Sequence, residues 1–87
     1  MEELERQARI RGLIFEVIEN QIRDDDPPET KQTLERLLAE GFPQAEAMKL
    51  IGCVVTSEIF EVLKQHREFD REGYIESLKR LPALPWE

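Results

Sequence analysis

From Pro43 to Gln65 the chain reads PQAEAMKLIGCVVTSEIFEVLKQ. The apolar residues Ala47, Met48, Leu50, Ile51, Val54, Val55, Ile59, Phe60, Val62 and Leu63 return at intervals of three and four. That spacing belongs to a helix and not to the alternation of a strand. Met48, Ile51, Val55, Ile59 and Val62 make one broad stripe, and Leu50, Cys53 and Phe60 make a second ridge beside it. A helix that is apolar on nearly every side is expected at the centre of its fold. Gly52, in its middle, costs up to about 1 kcal/mol relative to alanine, which points to the close approach of a neighbouring helix.

Upstream, Pro43 restarts the helix after Gly41, a residue that closes a helix C-terminus without a Cβ clash. The helix so closed covers about 28–40, with Leu34, Leu37 and Leu38, and Phe42 is expected to turn inward. Asp26 and Glu29 have the spacing of a capping box, with Asp26 or Pro27 as the cap. Asp24-Asp25-Asp26-Pro27-Pro28 breaks the helix before it, because proline interrupts the hydrogen-bond ladder and pushes its predecessor out of the α region. That first helix, about 2–23, carries Ile10, Leu13, Ile14, Val17, Ile18 and Ile22 over more than half its circumference.

Downstream, Asp70 is a good N-cap for a short helix over 71–80, with Tyr74, Ile75 and Leu78 on one side. The tail, 81–87, is expected to be extended at Pro82 and Pro85 and to lay its leucines and Trp86 on a groove. With 87 residues there is room for one domain, 1–87. The expected architecture is all-α, a four-helix bundle-like domain with two long and two short helices and a Pro-rich tail.

Composition narrows the function classes. The formal charge of −7 repels phosphate backbones and anionic membrane surfaces, which argues against nucleic acid and membranes as partners. Met1-Glu2-Glu3-Leu4-Glu5 lacks the basic region and apolar run of a targeting peptide, and the single cysteine, Cys53, suits a reducing compartment. A cytoplasmic location is the expectation.

Chemistry-bearing patterns are sparse. Glu16 with Glu19 and Glu58 with Glu61 have the Glu-x-x-Glu spacing that holds Mg²⁺ in all-α nucleotide pyrophosphohydrolases. Glu16 and Glu19 fall on a polar face, whereas Glu58 falls inside the apolar stripe and needs a basic or backbone partner there. Arg11, in the apolar arc of the first helix near Gln7 and Gln21, is a possible partner for Glu58 within one chain or across a dimer. The triple aspartate lacks the ligand order of an EF-hand loop. His66 has no second ligand at metal-binding spacing, and Cys53 has no base beside it. Pro82-x-x-Pro85 lacks the flanking arginine of a polyproline ligand, and Gly41-Phe42-Pro43 resembles the loop of ubiquitin-associated domains through a shared helix-turn-helix device. No cofactor or metal is implied.

Glu19-Asn20-Gln21-Ile22, Asp26-Pro27-Pro28-Glu29, Leu37-Leu38-Ala39-Glu40-Gly41-Phe42, Glu46-Ala47, Ile51-Gly52 and Glu58-Ile59-Phe60 together resemble a family of small bacterial helical proteins classified as a domain of unknown function. The resemblance covers most of the chain and implies a helical fold without a function. Members with histidines on the first and third helices would carry them near Ile10 and Lys49; here they are lacking, so no metal site is carried over.

The surplus apolar surface of the first helix, with the ridge of Leu50, Cys53 and Phe60, favours a symmetric homodimer. The expected function is a non-enzymatic protein-interaction or structural module acting as a homodimer, with a further protein partner left open. The alternative is a small metal-dependent hydrolase using the helix-borne glutamates. Arg11, Glu58, Leu50, Cys53, Phe60 and Trp86 are the positions expected to be buried polar or interface residues.

Overall fold

The computed structural model describes residues 2–87, and the side chains of all of them except Glu2, Glu3, Leu4 and Gln7. The described residues form four helices and no strand: α1 (Glu2–Asp24), α2 (Pro28–Ala39), α3 (Gln44–Gln65) and α4 (Arg71–Arg80). Among them no helix is long and apolar enough to cross a membrane.

Each break in the chain has a local cause. At the end of α1, Asp25 takes the left-handed conformation (φ 53°), and the N–H groups of Asp25 and Asp26 donate back to the carbonyls of Ile22 and Gln21 at 3.3 and 3.0 Å. Those two bonds close the helix by satisfying carbonyls that would otherwise be orphaned. The N-cap of α2 is Pro27, without a side-chain cap bond, so Asp26 does not cap that helix. Its carboxylate pairs instead with Arg71 at the start of α4, at 2.8 Å. Gly41 (φ 100°) closes α2 in the same manner as Asp25 closes α1: the Gly41 and Phe42 N–H groups donate to the Leu38 and Leu37 carbonyls, both at 3.1 Å.

The core is built from α1 (Ile18), α2 (Leu37), α3 (Ala47, Ile51, Val54, Val55), α4 (Tyr74, Leu78) and Leu81. α3 packs against each of the other three helices, and α2 also packs against α1 and α4. Ile14 lies against Gly52, where an added Cβ would sit 3.4 Å from Ile14 Cγ2. Farther along, Val17 and Gln21 share a cleft with Val55, Ile59 and Val62, so the two long helices run side by side in the same direction.

Burial along α3 departs from the expected central helix. It holds from Ala47 to Val55 and then fails, since Ile59, Phe60 and Leu63 are exposed. The tail folds into turns, with Ala83 N–H donating to Arg80 C=O at 2.9 Å and Glu87 N–H to Leu84 C=O at 3.0 Å, while Leu81 keeps extended backbone before Pro82 (φ −55°, ψ 140°). Leu81 is buried and Leu84 half-buried, while Trp86 stays exposed.

Candidate functional site

Polar side chains cluster at the end of the molecule where α1 and α3 finish. Gln21 is the hub: its Oε1 accepts from the Thr30 hydroxyl at 2.8 Å and from the Tyr74 hydroxyl at 2.9 Å, tying α1 to α2 and α4. Thr30 and Tyr74 are buried, and burial first of all pushes the Tyr74 phenol above its ordinary value. A buried hydroxyl without a partner costs more than a satisfied one contributes, so the three residues specify one arrangement of their helices.

Glu58 fastens the adjoining loop. Its side chain is only 13% exposed and receives both guanidinium nitrogens of Arg67, at 3.0 and 3.1 Å, together with the Asp70 N–H at 3.0 Å. The hydrogen bond to Glu58, ahead of the surrounding carboxylate charge, holds the Arg67 pKa above its usual value. The chain reaches this geometry because His66 is left-handed (φ 51°) and ends α3, turning Arg67 back onto the helix it has just left. Asp70, anchored on Glu58, then caps α4 by accepting from Gly73 N–H at 3.1 Å. Gly73 leaves room for that cap, since a Cβ would lie 2.5 Å from Asp70 Oδ2 and the carboxylate would have to shift. At the far end of α4, Arg36 of α2 donates to the Leu78 and Lys79 carbonyls at 3.1 and 3.5 Å and to Glu40 at 2.9 Å.

The partner of Glu58 is therefore Arg67, not Arg11. Arg11 is exposed and lines a cavity of about 460 Å³ with Phe15, Lys49, Cys53 and Trp86. Cys53 is half-buried, and Leu50 is half-buried against the core. Phe60 is exposed, with Lys64 Nζ 5.7 Å from its ring centroid. Glu16 and Glu19 are exposed on α1, while Glu61 accepts from Gln65 on its own helix at 2.6 Å. Among the described residues no three His, Cys, Asp or Glu side chains come together at a spacing that holds a metal ion.

A further feature, which nothing among the described residues covers, is apolar. On α1 every described side chain from Glu5 to Leu13 is exposed, including Ile10 at 55% and Leu13 at 61%, and Val17 continues the same stripe. Beside Val17 the stripe meets Ile59, Leu63 and Phe69 around a groove of about 400 Å³. Sequence reasoning located the apolar surplus of α1 but missed Arg67, Arg36 and the Gln21 hub. Thr30, Thr33 and Leu37 at helical spacing carried a signal for the hub, because threonines on a buried face need partners. No family model, curated protein or solved structure matches this chain.

Proposed function

We propose that this chain is a non-enzymatic protein-interaction or structural module that acts as a homodimer, with α1 as its contact helix. In this reading the four helices are a bundle-like scaffold whose polar fastenings at one end hold α1 and α3 so that their apolar stripes face outward. One observation carries it: the first half of α1 is helical yet exposed on every described side, with Ile10 and Leu13 in solvent. Isolated helices shorter than about 12–15 residues are marginal in water, and the first half of α1 is carried by its continuation into the packed second half. Among the described residues none of this segment belongs to the core or to the apolar side chains packed against it.

Glu58 supports the non-enzymatic side of the reading. Of the four glutamates considered for metal chemistry it is the one whose carboxylate is committed to a guanidinium and a backbone N–H, those of Arg67 and Asp70. The test is sedimentation across a wide concentration range for the wild type and Leu13→Asp. The expected result is a wild-type dimer and a variant whose dissociation constant rises at least about a hundredfold, since two leucines leave the interface together and each buried leucine is worth about 1.5–3 kcal/mol. A wild type that stays monomeric at high concentration overturns the proposal.

A further inference from the structure

The stripe on α1 has a direction and a charge pattern that specify how a second copy would seat. Arg6, Ile10, Leu13, Val17 and Asn20 follow one another at intervals of four, three, four and three. That 3.5-residue period is the seam of a two-helix contact. Of the two flanks of the seam, one is already used: Ile14 packs against Gly52, and Gln21 is bonded to Thr30 and Tyr74. The other flank carries Arg9 and Glu16, both exposed. The Arg9 guanidinium has a 3.9 Å approach to Glu5 on the same solvated helix, a contact worth little.

We infer that two copies pair α1 against α1 in antiparallel fashion, with Ile10 opposite the partner's Leu13, Val17 opposite the partner's Arg6, and Arg9 opposite the partner's Glu16. The inference rests on the homodimer reading and adds its orientation and register. Three features select it. In an antiparallel seam, flank residues of the same kind face each other, and the sequence then sets Arg9 against Glu16 twice by symmetry. A parallel pair would place Arg6 beside the partner's Arg6 within the seam and leave Arg9 and Glu16 facing Ile14 and Gln21, which have no charge to offer. The antiparallel arrangement also lays the exposed first half of each α1 along the Val17 end of the other, beside the groove of Ile59, Leu63 and Phe69. Each copy thereby covers the apolar surface that the other leaves open, and the methylenes of Arg6 pack over Val17 while its charge stays in water.

The test is disulfide trapping in a Cys53→Ser background, with sedimentation on the same samples. Arg6→Cys and Val17→Cys chains are oxidised separately and as a mixture. In the proposed register the mixture yields covalent dimers, whereas each chain alone does not, because identical positions are then about 16 Å apart along the seam at 1.5 Å per residue. Covalent dimers within either single chain, or none in a mixture that still sediments as a dimer, overturn the register and leave the homodimer standing. A monomer under all conditions overturns the homodimer itself. Charge exchange gives an independent readout: Arg9→Glu weakens association about tenfold, and adding Glu16→Arg restores it. Failure of the second change to restore what the first removed counts against the register.

Discussion

The two halves of α1 differ in what holds them. From Ile14 to Ile22 the helix is pinned: Ile14 rests on Gly52, Ile18 is fully buried, and Gln21 bonds to two other helices. From Glu5 to Leu13 its described side chains are exposed, although Ile10 and Leu13 belong to the same amphipathic arc as Ile18. The propensities of the two halves do not explain this, since glutamate, glutamine and isoleucine occur in both. The contrast teaches that periodicity locates a surface needing cover without saying whether that cover comes from the same chain.

The strongest way to break the comparison is to remove the pin. Ile18→Ala empties a fully enclosed site and is expected to cost about 2–5 kcal/mol, a large share of what so small a domain possesses. Urea unfolding followed by circular dichroism reads the loss, which should be similar in dilute and concentrated protein because the cavity lies inside one chain. A loss confined to concentrated samples would mean that Ile18 faces a partner and that the two halves of α1 are not different after all.

That contrast also marks how far the residues alone could be read. The helical class and the four helices were legible because side-chain period, prolines and the glycine at Gly41 act locally. The route of the tail was not, since Pro82 and Pro85 restrict their own backbone without saying where Leu81 and Leu84 find cover. The need of Glu58 for a partner was legible from its place in an apolar stripe. The identity of that partner was not: Arg67 reaches it only because His66 takes a left-handed turn that few non-glycine residues adopt, and no spacing rule anticipates that. Gln21 was hidden for a similar reason, as its two hydroxyl partners come from helices whose rotation about their axes depends on the whole core.

A gentler perturbation acts on the pinned half through Tyr74, the chain's one tyrosine, whose phenolate absorbance can be followed without interference. Burial raises its pKa in the folded state above the unfolded value of about 10. The stability this contributes is fully present below the unfolded value and is lost as pH rises through the folded one, because the unfolded chain gives up its proton first. The phenol is therefore expected to titrate at higher pH in native protein than in urea, and the native fold to weaken in that alkaline window. Tyr74→Phe removes that part of the pH dependence and costs about 1 kcal/mol at neutral pH, Gln21 keeping its bond to Thr30. Coincident titration curves in native and unfolded protein would refute the buried hub.

The smallest change sharpens the comparison from the bare side. Gly12 lies in the exposed half of α1, with nothing within 4 Å of where a Cβ would stand. In the interior of a helix glycine costs about 0.5–1 kcal/mol relative to alanine, so Gly12→Ala should stabilise α1 by up to that amount. Its direction from the helix axis is well away from the Ile10, Leu13 and Val17 stripe, on the solvent side of Arg9 and Glu16. Association through that stripe should then be unchanged or slightly tighter, since the contact helix is better formed before it meets its partner. If Gly12→Ala instead abolishes the dimer while raising helix content, the two copies approach through the glycine face, where a methyl group would intrude, and the seam must be moved by about a third of a turn.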